Sequence, residues 1–382
     1  MTPALHSKLP RVGTTIFTVM SQLADEHGAL NLSQGFPDFA AHPQLLESVY
    51  RQMTLGHNQY APMAGVAALR EAIAEKNGAL YGYTANPATE ITVTPGATAA
   101  LFAAIQASVG PGDEVIVFDP AYDAYEPAVT LAGGRTLHLP LSLPDFTVDW
   151  QRLRETITPR TRMIVINSPH NPSGTLWSRA DLETLAAIVA DTEILILSDE
   201  VYEHILFDGR RHHSVLSHEP LRERSFMVSS FGKTYHVTGW KIGYCIAPPP
   251  LTQALRKVHQ YVTFSTSTPM QYALAEFMAH REHYLTLGDF YQAKRDLFCR
   301  LLEGSRFSFT PARGTYFQLL DYSAITQEDD RDYALRLIGE AGIAAIPLSP
   351  LYKQPPPMQL LRFCFAKEDA TLERGAEILC RL

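Results

Sequence analysis

Met163-Ile164-Val165-Ile166-Asn167, then Ser168-Pro169-His170-Asn171-Pro172-Ser173-Gly174, then a helix-like stretch Arg179–Ala190 and a second apolar run from Glu193 to Ser198 that ends in Asp199: these residues decide the fold. Neither apolar run alternates with polar residues, so each reads as a strand covered on both faces, with a helix between them. Buried strand, crossover helix and buried strand again is the unit of a parallel sheet. The rhythm extends outward in both directions. Ile91–Thr94 and Glu114–Phe118 flank helix-like Ala97–Val109, while Phe226–Ser229 and Ile242–Ala247 precede helix-like Leu251–Tyr261. Val66, Leu69, Ile73 and Leu80 recur at helical intervals before the first strand. The fold class expected is α/β, a mostly parallel central sheet covered by helices.

After Leu285 the pattern changes. A helical stretch Leu285–Leu302 leads to strand-like Tyr316–Leu320, a helix near Arg331–Ala341, strands at Ile343–Ile346 and Leu360–Phe365, and a last helix Thr371–Arg381. No repeating crossover is present, so this part reads as a smaller α+β domain. The expected division is an N-terminal segment, 1–40, that joins the small domain, a large domain, 41–285, and the small domain, 286–382. Pro355-Pro356-Pro357 is a surface loop within the last of these.

The 382 residues are 46% hydrophobic and 19% charged, the balance of a globular protein. The net charge of −8 is spread along the chain without a basic block, which argues against a nucleic-acid partner. No apolar run is long enough to span a bilayer, so no membrane association is expected. The first thirty residues include Pro3, Lys8, Pro10 and Arg11 and lack an apolar h-region, so no secretory signal is expected. Cys245, Cys299, Cys364 and Cys380 have no metal or redox spacing, and a cytoplasmic location follows as the default. No metal site is expected. His280 and His283 lack a third ligand, and Glu200, Glu203 and His204 read as structure.

In open α/β sheets ligands bind beyond the carboxyl ends of the strands, and here five strand ends carry polar clusters. Thr94-Pro95-Gly96-Ala97-Thr98 opens a helix whose first amides suit a phosphate, although an ordinary strand-to-helix turn has the same form. Tyr122 follows the second strand and can stack on a planar ligand or simply pack. Asn171, in the turn after the third, can donate to a phenolate-type oxygen. Asp199 closes an apolar strand, where a carboxylate needs a cation or good hydrogen bonds, and Tyr202 follows it. Lys233 and Lys241 flank the fifth end, as surface charge or as a Schiff-base amine and a phosphate-binding cation. Together these groups match the needs of pyridoxal 5′-phosphate: a lysine for the aldehyde, an acid for the pyridine nitrogen, a phosphate anchor and a ring stack.

Ser230-Phe231-Gly232-Lys233 followed by Gly239-Trp240-Lys241-Ile242-Gly243 closely resembles the lysine segment of the class I aminotransferases of fold type I. The likeness runs nearly end to end, through Asn31–Phe39, Asn58-Gln59-Tyr60, Pro169–Gly174 and Leu361-Arg362-Phe363. It is strongest toward the bacterial methionine aminotransferases and the kynurenine/glutamine transaminases. The resemblance implies that Lys233 binds the cofactor covalently and moves the proton, and that Asp199 holds the pyridine nitrogen protonated. It implies that Asn171 and Tyr202 bond the ring oxygen and Tyr122 stacks on the ring. Gly96, Ala97, Thr98, Ser230 and Lys241 would hold the phosphate, with Tyr60 reaching it from the other subunit of a homodimer whose sites lie at the interface. Arg362 would grip the substrate α-carboxylate, assisted by Asn171 and the Gly35 backbone. Lys241 stands where many aminotransferases have Arg, and Tyr122 replaces the Trp of dicarboxylate-type enzymes, which disfavours aspartate as a substrate. The activity implied is transfer of an α-amino group from an apolar, sulfur-containing or aromatic amino acid to a 2-oxo acid, with ping-pong kinetics. A β-lyase using the same site and a non-catalytic regulatory protein that binds the cofactor are the alternatives. Ile16, Phe17, Tyr60 and Phe264 are the expected side-chain pocket.

Overall fold

The computed structural model describes residues 6–10 and 12–382, so Pro3 and Arg11 lie outside the described residues. In chain order the strands are β1 (Leu30–Asn31), β2 (Ile91–Thr94), β3 (Glu114–Asp119), β4 (Arg135–Pro140), β5 (Thr161–Asn167), β6 (Leu195–Asp199), β7 (Ser225–Ser230) and β8 (Gly243–Ile246), then β9 (Phe317–Asp321), β10 (Ile343–Ala344), β11 (Ile346–Pro347) and β12 (Leu360–Cys364). Seven of them form one sheet in the order β2-β8-β7-β6-β5-β3-β4. The neighbours from β7 to β4 pair in parallel, and β8 alone runs antiparallel to both its neighbours. The short segment 231–242 turns the chain straight back from β7 into β8, so the carboxyl end of β7 and the start of β8 share one edge of the sheet.

Pleating explains the unbroken apolar runs. Met163, Val165, Leu195 and Leu197 enter a core with Ala100 and Leu101 of the helix Ala97–Ser108. Their neighbours Ile164, Ile166 and Ile196 enter the opposite core with Leu182 and Leu185 of the helix Arg179–Val189. Both faces of the sheet are dry, and only the strand ends are free to carry polar chemistry.

A third core gathers Met20, Ala24 and Leu32 with Phe317, Leu320, Leu361, Phe363 and Leu372. β1 pairs in parallel with β10, and β11-β12-β9 forms a small antiparallel sheet. Met20, Ala24 and Leu32 are thus packed with residues from Leu287 onward.

Four details differ from the sequence reading. β4, Arg135-Thr136-Leu137-His138-Leu139-Pro140, is an unanticipated edge strand in which only Leu139 is fully buried, so it lacks the apolar signature of its neighbours. The expected helix from Leu285 breaks at Thr286, leaving Glu282–Leu285 and Leu287–Leu301. A Cβ on Gly288 would meet the Leu206 carbonyl oxygen at 2.8 Å, so the second helix starts where it can lie against that backbone. The helix expected near Arg331–Ala341 is α-helical over Asp330–Arg336 and widens to a π-turn over Leu337–Ala341, closed by Gly342 at φ 72°. The single strand expected at Ile343–Ile346 is two, each pairing with a different partner on either side of Ala345.

Candidate active site

The polar strand ends and the third core enclose a cavity of about 390 Å³. Gly35, Gly96, Ala97, Thr98, Tyr122, Asn171, Asp199, Tyr202, Ser230, Lys233, Lys241 and Arg362 all line it. The large sheet supplies the floor. Gly35 and Arg362 supply the roof.

Lys233 lies in the short helix Phe231–Thr234 at the end of β7. Its Nζ donates to the Gly35 carbonyl oxygen (3.1 Å) and to the Tyr316 hydroxyl (3.0 Å), and Tyr316 Oη itself donates to Gly35 O (2.6 Å). Burial lowers its pKa to about 8, so a large part of the amine is neutral under mildly alkaline conditions.

Asp199 ends β6 and is buried. Oδ2 accepts from the Tyr125 hydroxyl at 2.7 Å and Oδ1 is 3.4 Å from the Val201 amide. Among the described residues it has no ion-pair partner, and burial raises its pKa to about 6. Among the described residues none supplies the cation that a carboxylate in this position calls for, which fits a protonated pyridine nitrogen held there. The sequence reading gave equal weight to a structural Arg or Lys partner, and among the described residues there is neither.

The turn after β5 is braced by Asn167. Its Nδ2 donates to the Asp199 carbonyl oxygen (2.9 Å) while its Oδ1 accepts from the Asn171 amide (2.9 Å). The Asn171 side-chain oxygen accepts from Arg362 Nη1 (2.8 Å), which leaves its NH2 as the group able to donate into the cavity. His170 is held by the Pro120 carbonyl oxygen (3.1 Å) and Ser173 Oγ (2.7 Å), and burial lowers its pKa to about 4; it is loop structure.

Arg362, on β12, is 1% exposed. Nη2 donates to the Ser33 carbonyl oxygen (2.7 Å), the guanidinium lies 3.9 Å above the Phe317 ring and 5.0 Å from that of Phe17, and Nε has no partner among the described residues. A buried guanidinium that lines the cavity and, among the described residues, spends only one hydrogen bond on each terminal nitrogen fits a carboxylate. Burial lowers its pKa to about 10, which leaves it charged. Gly35 also forms part of the wall. Its carbonyl is already committed to Lys233 and Tyr316, so only its N–H has the sense a carboxylate needs.

At the other end, Gly96 (φ 82°) caps the helix Ala97–Ser108. A Cβ there would sit 3.2 Å from Lys241 Nζ, and one at Gly243 would sit 2.8 Å from the Ala97 nitrogen. The ammonium therefore lies beside the start of this helix, and with Ser230 lining the same cavity the arrangement makes a cradle for a phosphate.

Tyr60 does not line the cavity of its own chain. It is 84% exposed, with its ring 5.4 Å from that of Phe264, itself on the surface. Of the expected side-chain pocket only Phe17 lines this cavity, while Ile16 lines a neighbouring one. Sequence reasoning missed Tyr125, Asn167, Tyr316, Phe317 and Asp123. The i, i+3 spacing of Tyr125 from Tyr122 was a usable signal, and Tyr316 offered none. Glu203 is buried with Lys76 (2.7 Å) and Tyr244 (3.0 Å), and Glu200 with His212 (2.7 Å), away from the cavity. Among the described residues no three His, Cys, Asp or Glu side chains cluster to hold a metal, and no helix is long and apolar enough to cross a membrane.

Residues 28–379 match the family model for class I and II aminotransferases. The chain is 54% identical over 378 residues to a methionine aminotransferase of Escherichia coli, covering 99% of this chain and 98% of that protein. It is 34% identical to kynurenine–oxoglutarate transaminase 1 of Mus musculus, covering 94% and 93%. Among solved structures, that of an Escherichia coli methionine aminotransferase superposes with a TM-score of 0.98 at 54% identity over the whole of both chains.

Proposed function

This chain belongs to the class I and II aminotransferases and uses pyridoxal 5′-phosphate, and from that premise we propose that it takes the α-amino group of methionine-like, phenylalanine-like or kynurenine-like L-amino acids and passes it to a 2-oxo acid. The observation that carries the reading is Asp199, a buried carboxylate with no ion-pair partner among the described residues, in one cavity with the amine of Lys233. When bound, the cofactor supplies a protonated ring that takes up the electron pair left at the substrate α-carbon. Asp199 would keep that ring charged, with Tyr125 holding the carboxylate in place. Lys233 would carry the cofactor covalently and serve as the general base for the substrate α-proton, its lowered pKa matching that task. Asn171 and Tyr202 would hold the ring oxygen, Tyr122 would pack on the ring, and Gly96, Ala97, Thr98, Ser230 and Lys241 would hold the phosphate. Arg362 fixes the α-carboxylate, so the α-hydrogen is presented to Lys233 in a defined orientation.

The same reading makes 1–40 and 286–382 one unit around 41–285, supported by the core shared between Met20, Leu32 and Phe363. It makes the protein a homodimer with Tyr60 serving the other chain's site. Tyr50 (72% exposed), Leu55 (65%), Tyr60, Tyr261 (86%) and Val262 (54%) form exposed apolar stretches joined through the Tyr60–Phe264 contact, a surface suited to a partner. A cytoplasmic location accords with four free cysteines.

A panel of amino donors, scored by kcat/KM against one fixed 2-oxo acid, tests the proposal. Methionine, phenylalanine and kynurenine should exceed aspartate, and a clear preference for aspartate would overturn the donor assignment.

A further inference from the structure

Asp123 follows the ring-packing Tyr122 and forms part of the wall between two cavities. One is the site already described, and the other, about 300 Å³, is lined by Thr15, Tyr122, Glu126, His138 and Lys353. Lys353 pairs with Glu126 (2.7 Å), Lys233 and Lys241 line the first cavity, and Arg331 lines the second from its exposed rim; the His138 ring hydrogen-bonds to Asp119 (2.7 Å). Among the described residues Asp123 itself has no ion-pair partner. Burial raises its pKa, its own backbone amide opposes this, and Arg362 across the cavity opposes it less.

A substrate whose α-carboxylate lies on Arg362 must direct its side chain into the remaining space. A second carboxylate there meets Asp123, on which Arg362 is the one cation among the described residues to act, and Arg362 is then taken by the α-carboxylate, whereas a thioether, alkyl or aromatic group meets Phe17 and Phe317. We propose that Asp123 sets the charge selectivity of the side-chain pocket, rejecting amino acids and 2-oxo acids that bear a second carboxylate. The inference rests on the aminotransferase reading above and assigns its specificity to one residue.

The test uses holoenzyme with Asp123→Asn, which keeps the shape and removes the charge, and Asp123→Ser as a second uncharged form. Two ratios are read. The first is kcat/KM for glutamate relative to methionine with a fixed 2-oxo acid. The second is the calorimetric Kd of glutarate relative to hexanoate. Removing a like charge a few ångströms away should shift each ratio toward the dicarboxylate by about tenfold or more. Unchanged ratios in both variants would overturn the proposal, as would wild-type protein that binds glutarate as tightly as hexanoate. Absence of amino transfer from every donor would instead sink the aminotransferase reading, and the Kd ratio would still decide the role of Asp123.

Discussion

Replacing Asp199 by Asn in cofactor-free protein should stabilise the fold while crippling the enzyme. The carboxyl is moved by burial from 3.8 to about 6, and over that interval the folded chain binds the proton more tightly than the unfolded one. Stability therefore falls as pH rises from about 4 through about 6, and above that the ionised group costs roughly 3 kcal/mol. Asn removes the charge, and its carbonyl oxygen can still accept from Tyr125. Its NH2 inherits only the poor environment of the second oxygen, which takes back about 1 kcal/mol. The expected gain is about 2 kcal/mol at pH 8, shrinking toward zero or below at pH 4. Urea unfolding of stripped wild-type and Asp199→Asn protein, at one fixed protein concentration and at pH 4.5, 6 and 8, measures it. A difference that does not change with pH, or a wild type more stable than the variant at pH 8, would refute the argument that this carboxylate is held without its cation. In the same variant kcat should fall far more than cofactor retention, because the charge acts mostly in the carbanionic transition state.

Reconstitution of stripped enzyme should accelerate as pH rises through about 8, where Lys233 becomes neutral, and borohydride should then fix the cofactor on the Lys233 peptide; label on Lys241 would contradict the assignment. Tyr125→Phe removes a hydrogen bond to a buried carboxylate worth ~1.5–3 kcal/mol, so kcat should drop about ten- to a hundredfold with the phosphate contacts intact; an unchanged kcat would make Tyr125 mere packing. Co-expressing a Lys233→Ala chain with one carrying a crippling Tyr60 substitution should restore roughly a quarter of wild-type activity, since about half the dimers then hold one intact site. No restoration would place Tyr60 in its own chain's site.

The sheet was legible because strands buried on both faces cannot hide: Met163–Asn167 and Leu195–Asp199 have no polar residue until the end that faces the ligand. β4 was not, since an edge strand with Arg135 and His138 needs no continuous apolar run. At the site, residues whose chemistry requires their type, Lys233, Asp199 and Arg362, stood out beside strand ends and in the quoted motifs. The groups that position them did not. Tyr316 belongs to another core, 83 residues from Lys233, and is brought to it only by the packing of that core over the sheet. Asn167 was visible within the turn motif, but its bridge between two strand ends depends on the parallel register of Asn167 with Asp199. Tyr60 is a residue whose expected site no single chain contains.

Lys233, Tyr316 and Gly35 close a triangle of hydrogen bonds beneath the roof of the cavity. A free lysine side chain explores many rotamers, and confining it costs up to ~2 kcal/mol of conformational entropy. Here the free amine already has a berth, which holds the end of a four-carbon chain in one place at the cavity. The berth also restricts position 35, because a Cβ there would lie 2.9 Å from the Phe317 ring and push the carbonyl off its mark. Glycine at position 35 therefore keeps open the place of a lysine 198 residues away.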